Sequence, residues 1–158
     1  MGLSEVRSAL SAVIAGADPG SLVHDYERWA NEQDAFSALF VPADQADGTA
    51  YIRAWLVKHL ATKEEAIAQG HTILLYEFGI RFMHSLADAA GTEKTGDDLV
   101  ETVRQAIRDN PSLGLAGTTV QPWGSEQVGA QLERNEYLQL GSALCHLFEL
   151  RLIVQQYS

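Results

Sequence analysis

Hydrophobic and polar positions alternate along two long segments of the chain, residues 71–86 (HTILLYEFGIRFMHSL) and 144–155 (LCHLFELRLIVQ). In the first, Leu74, Tyr76, Phe78, Ile80 and Phe82 hold the even positions; in the second, Leu144, Phe148, Leu150, Leu152 and Val154 do, with His146 the exception. The odd positions carry Glu77, Arg81, Glu149, Arg151 and Gln155. A period of two with one apolar and one mixed face predicts half-buried antiparallel strands. At 16 and 12 residues both exceed the usual length of about five or six. Strands this long run out beyond a domain core, where they can meet another molecule.

Between them lies a segment with the 3.6-residue spacing of a helix. Thr95 is its expected N-cap, Asp97 and Asp98 fall in its first turn, and Leu99, Val100, Val103 and Ile107 form its apolar stripe. Arg104 and Arg108 lie towards its end and Asn110-Pro111 stops it. Acid first and base last complements the helix dipole. A second amphipathic helix is expected over residues 4–15, with Ser4 as cap, Val6, Leu10, Val13 and Ile14 on one side, and Gly16 past its end.

The remaining segments read less regularly. Residues 22–29 (LVHDYERW) predict a short strand. Residues 31–40 predict a helical turn from an Asp34 cap, with Phe36, Leu39 and Phe40 inward, and residues 41–49 a loop. Residues 51–60 alternate again, with Ile52, Ala54, Leu56 and Leu60 on one side and Arg53, Trp55 and His59 on the other. Residues 61–70 (ATKEEAIAQG) fit a helical turn or a long hairpin turning around KEE; the strand patterns on both sides favour the hairpin. Residues 87–94 read as a polar loop. Residues 112–142 are the least regular stretch, with an edge strand over 118–123, where Pro122 would forbid a central position.

The order predicts an α+β fold: an antiparallel sheet of about four to five strands, including a long hairpin, with two helices packed on one face. The helix at 95–109 would lie on the even faces of the two long strands. If those strands are antiparallel neighbours, their odd faces pair Glu77 with Arg151 and Arg81 with Glu149.

Composition narrows the function more than the fold. One domain spanning residues 1–158 is expected, with 46% apolar residues and no apolar run of membrane-spanning length. The start MGLSEVRSAL lacks the basic region and apolar block of a secretory leader. The net charge of −10, from 21 acidic and 11 basic residues, leaves no basic face for nucleic acid; Lys58, Lys63 and Lys94 stand apart. Cys145, the single cysteine, excludes an internal disulfide and reads as a packed thiol.

No catalytic, metal or cofactor site is expected. The histidines at 24, 59, 71, 84 and 146 never stand two or four apart, so no single element offers two of them to one ion. His84 and His146 would meet only if the strand registers agreed. There is no G-x-S-x-G elbow, and Ser85 beside His84 is a strand-end neighbour. Glu64-Glu65 read as solvated turn charge and Asp97-Asp98 as helix-start charge. The glycines of residues 114–129 do not match a phosphate loop opening onto a helix. Trp29, Trp55, Trp123, Tyr26, Tyr51 and Tyr137 lie in the less regular elements or on mixed faces; about two-thirds of them are expected in the core, and the rest, beside polar residues, fit a protein–protein interface. Trp123, in the turn QPWGS, is the foremost of them.

The helix at 4–15, the strand VHDYERW, the paired strands across 51–86, the helix DDLVETVRQAIRDNPSLGL and the closing strand LCHLFELRLIVQQY together resemble the tail terminator (tail completion, head–tail joining) proteins of long-tailed bacteriophages. The resemblance covers most of the chain in order of elements. It implies a structural virion protein rather than an enzyme: six copies form a ring that caps the tail tube, contacts the tube protein, and presents a surface to neck and connector proteins. DNA would pass through the lumen without specific binding, and the protein would sit in the virion after assembly in the host cytoplasm. A ring requires contacts between unlike patches of identical subunits. The expected patches are the mixed faces (Trp55, Arg81, Glu149, Arg151), a hairpin tip at residues 62–65 (Glu64, Glu65), the loop 114–135 with Trp123, and Tyr137. Another neck or tail-tube subunit, or a small α+β domain that binds a ligand or peptide, would share these features.

Overall fold

The structure is a computed structural model that describes residues 2–28, 38–42, 52–86, 91–120, 129–140 and 143–157. The expectations for Trp29, Asp34, Phe36, Tyr51, Pro122 and Trp123 lie outside the described residues. The elements are α1 (Leu3–Ala17), β1 (Leu22–His24), β2 (Arg53–Ala68), β3 (His71–Ser85), α2 (Thr92–Asp109), β4 (Thr118–Thr119), β5 (Gln131–Leu140) and β6 (Ala143–Tyr157). All six strands join one sheet in the order β1-β2-β3-β6-β4, with β5 also on β6. The fold is α+β, as the pattern predicts. The sheet is mixed rather than purely antiparallel, because β1 runs parallel to β2 across Leu22, Val23 and His24.

The two alternating segments are central neighbours. β3 and β6 pair antiparallel from Ile73↔Tyr157 to Ser85↔Cys145, so even positions face even positions. Tyr76, Phe78, Ile80, Phe82, Phe148, Leu150, Leu152 and Val154 thus share one face, on which Val6, Leu10 and Ile14 of α1 and Val100, Val103 and Ile107 of α2 close the main core. Each large side chain moved there from water contributes roughly 1.5–3 kcal/mol.

Both helices begin earlier than expected. α1 starts at Leu3, with the Gly2 N–H donating to Glu5 Oε2 at 2.7 Å instead of a Ser4 cap. α2 starts at Thr92, one turn before Thr95, from Gly91 at φ 64°. The extra turn seats Thr92 in the core, with its hydroxyl 3.0 Å from His146 Nε2. Gly96 then lets the helix lie close on the sheet: a Cβ there would sit 2.7 Å from the Phe148 ring. The helix ends as expected, with the Asn110 N–H on Ile107 O.

β2 departs from its expected facing. Trp55 pairs with Phe82 and Val57 with Ile80, so the odd positions of β2 share the helix-covered face with the even positions of β3. Trp55 and Val57 enter the main core. Ile52, Ala54 and Leu56 point the other way into a second, smaller core with Phe40, Met83, Cys145 and Leu147. This end of the sheet is covered on both sides. A bulge between His59 and Ala61 then shifts the phase, and β2 continues paired with β3 as far as Ala68↔His71. The hairpin exists, but its turn is Gln69–Gly70, with Gly70 at φ 81°, and not KEE. Residues 62–65 lie inside the strand.

β1 stops at His24, short of the expected 22–29, and β4 spans two residues of the expected 118–123. The irregular stretch 112–142 contains β5, a ten-residue strand. β5 carries no apolar periodicity because nearly every side chain on it is exposed. Among the described residues, no helix is long and apolar enough to cross a membrane.

Candidate assembly surface

The face of the sheet turned away from the helices carries a line of ion pairs running across the strands. Glu27, just beyond β1, accepts from Lys58 of β2 at 2.7 Å and from Arg81 of β3 at 3.1 Å. Arg81 reaches Glu149 of β6 at 3.6 Å, and Glu149 is 3.6 Å from Arg134 of β5, which also lies 3.5 Å from Glu136. A second row joins Glu77 of β3, Arg151 of β6 and Glu133 of β5 at 3.3 and 3.2 Å. Both expected cross-strand pairs, Arg81 with Glu149 and Glu77 with Arg151, are present. The register makes Arg81 and Glu149 direct opposites, whereas Arg151, directly opposite Gly79, reaches Glu77 diagonally.

Each half-exposed pair contributes only about 0.2–1 kcal/mol, so the rows orient charges more than they hold the fold. These nine residues carry five negative and four positive charges. Nine of the ten net negative charges therefore lie elsewhere. The face presents a nearly neutral, mutually compensated pattern, suited to contact with another protein rather than to long-range attraction of a polyanion.

Beyond these rows, towards the hairpin turn, the same face is apolar and open: Leu60 lies over Gly79, and Ile153 and Tyr157 are exposed. Residues 62–70 are all exposed. This arm of the hairpin stands outside the core. Glu64 and Glu65 are on it, opposite Leu74 and Ile73. At the opposite edge of the sheet, β5 exposes Leu132 and Tyr137, the latter at 63%.

Of the expected interface residues, Arg81, Glu149 and Arg151 are brought together in the charge rows, while Glu64, Glu65 and Tyr137 lie exposed on the arm and on β5. Trp55 is a correction. It is fully buried, its ring stacks on Phe82 at 4.2 Å, and its indole N–H donates to Asp18 Oδ2 at 2.8 Å. It is a core residue because the β2 register turns it towards the helices. Arg134, Glu133 and Glu136 were missed with β5 itself; the alternating charges in QLERNEYLQL were the only sequence signal for them.

Among the described residues, chemistry elsewhere is sparse. The registers of β3 and β6 do bring His84 opposite His146, with ring centroids 6.4 Å apart. Both are buried, in contact with Phe82 and Phe148. Burial, and after it the nearby Arg53 charge, push the His84 pKa down to about 4, so the ring stays neutral. The Cys145 thiol is pushed up to about 11 by burial, away from the range of a reactive thiolate. Among the described residues no group of three or more His, Cys, Asp or Glu side chains is placed to hold a metal ion. An open groove of about 470 Å³ lies between α1 and α2, lined by Ala9, Ala12, Val13, Gly16, Ala106 and Leu113 with Asn110 at its edge. It lacks the converging polar groups that orient a small ligand.

No protein-family model matches the chain, and no curated protein matches it.

Proposed function

We propose that the protein is a structural assembly subunit of the tail-terminator kind, which forms a ring on the end of a phage tail tube and joins it to the neck. The observation that carries this reading is the β2–β3 arm. Residues 62–70 are all exposed and form the outer side of the hairpin. Residues 62–65 pair with β3 on one side, where β3 is itself backed by β6, and no described strand covers their other edge; an open edge is a template for another chain. The compensated charge rows, the exposed Tyr137 at the far edge and the acidity of the rest of the molecule support the same reading. An acidic subunit lets DNA pass close by without adhering.

In this role the chain uses no reaction centre. It supplies a rigid sheet, locked by two cores, from which unlike patches face neighbouring copies, the tube protein on one side and neck proteins on the other. Electron microscopy of tail tubes polymerising with and without the protein tests this. Added protein should appear as a cap at one tube end and arrest elongation. Tubes that grow on unaltered, with no density at their ends, would refute the role.

A further inference from the structure

Among the described residues, the sheet has two edges that no strand covers, one on each side. On the β2 side, β1 pairs only with residues 54–56, and no described strand pairs with the outer edge of residues 57–68. On the β6 side, no described strand pairs with the outer edge of β5. Exposed edges invite another strand. The unpaired outer edge of β2 spans residues 57–68, long enough to take the whole of β5, which has ten residues.

Direction matches as well as length. β2 is antiparallel to β3, β3 to β6 and β6 to β5, so β2 and β5 run in opposite senses. A rotation about an axis along the strands therefore sets β2 of one copy antiparallel to β5 of the next. One register that covers all of β5 sets 59 opposite 140 and 68 opposite 131. Lys63 then stands opposite Glu136, and Glu65 opposite Arg134. All four lie on the face away from the helices, because Lys63 and Glu65 pair with Leu75 and Ile73, and Arg134 and Glu136 with Glu149 and Leu147. Shifting by two residues one way sets Glu65 against Glu136; the other way sets Lys63 against Arg134. Charge complementarity selects this register over its two-residue shifts.

We propose that a second copy of this chain is the occupant of both edges, the β2 arm of one copy adding to β5 of the next so that the sheet continues around the ring. This rests on the ring-forming reading above and names its contact. A two-fold β5–β5 pairing would leave the β2 arm uncovered; the head-to-tail pairing covers both edges and closes by rotation.

The test is a double-cysteine variant, Lys63→Cys with Glu136→Cys, oxidised and separated without reductant, beside each single variant. Sedimentation of the unmodified chain runs in parallel. The natural Cys145 is buried and stays out of the reaction. A covalent ladder rising to the ring in the double variant, absent from both singles, is the expected result. The swap Lys63→Glu with Glu136→Lys should assemble as the natural chain does, whereas Lys63→Glu alone should assemble more weakly. A chain that sediments as a ring but yields no ladder overturns the edge pairing and leaves the assembly role standing. A monomer at every concentration, or a closed dimer, overturns both.

Discussion

Replacing Asp18 tests the reasoning about the core most sharply. Asp18 follows α1 directly and is 1% exposed. Its carboxylate accepts from Arg53 Nη2 at 2.5 Å, from Trp55 Nε1 at 2.8 Å and from the Ser21 hydroxyl, while Arg53 Nε donates to Ser21 Oγ at 2.8 Å. One carboxylate thus ties the end of α1 to the base of the hairpin. In Asp18→Ala the buried indole N–H loses its acceptor, a loss of about 1–3 kcal/mol. Arg53 loses its counter-charge, and breaking a buried ion pair from one side costs about 3–5 kcal/mol. Arg53 keeps 20% of its side chain exposed, so part of its charge is rehydrated. The two losses share one partner and do not add, so the expected total is about 3–4 kcal/mol. Asp18→Asn keeps an acceptor for Trp55 and should lose roughly half of that. Urea unfolding followed by circular dichroism at pH 7 and fixed protein concentration measures both. With Arg53→Leu added, the double-mutant cycle should give a coupling above about 1 kcal/mol. A loss below about 1 kcal/mol for Asp18→Ala, or strict additivity with Arg53→Leu, would refute the network as a structural tie.

Other substitutions probe separate links. Gly96→Ala gains about 1 kcal/mol of helix propensity but drives a methyl into the buried Phe148 ring, an overpacking penalty of about 1–3 kcal/mol; thermal melting should show a lower midpoint, and a higher one would contradict the close approach. His84 has a folded pKa of about 4 against an ordinary 6.5. The unfolded chain therefore takes up its proton first. Stability from the neutral ring is complete above pH 6.5 and is lost as pH falls towards 4, by about 3 kcal/mol at 1.36 kcal/mol per unit. The difference in unfolding free energy between the natural chain and His84→Leu should shrink by that amount across the window, and a constant difference would contradict it. Tyr137→Ser removes a mostly exposed ring whose one ring contact among the described residues is His146 at 5.6 Å, so monomer stability should fall by no more than about 0.5–1.5 kcal/mol while assembly weakens; unchanged assembly by light scattering would remove Tyr137 from the contact.

The parts of the fold that the sequence reveals are those where one face is buried and the other is not. β3 and β6 alternate cleanly because their odd faces carry the ion pairs, and so even the Arg81–Glu149 and Glu77–Arg151 partners can be read from position alone. β2 misleads for the opposite reason. Its first half is buried on both faces, Trp55 towards the helices and Leu56 towards the second core, so no single face is marked. A one-residue change of register then decides which side Trp55 occupies. β5 escapes notice because it is buried on neither face. Its strand character comes from pairing with β6. The start of α2 was legible only in part: Thr95 has the chemistry of a cap, but Gly91 and the Thr92–His146 contact, which depends on tertiary packing, set the real beginning. The candidate surface follows the same rule. Its β3 and β6 charges are readable, and its β5 charges become meaningful only once β5 has a place in the sheet.

The central claim is that copies of this chain assemble through unlike edges, and the mass of the intact protein in solution tests it most directly. Analytical ultracentrifugation over a range of concentrations should show a closed species of about six times the 17.3 kDa chain, without dimers or open polymers accumulating. A single species at 17.3 kDa throughout would contradict it.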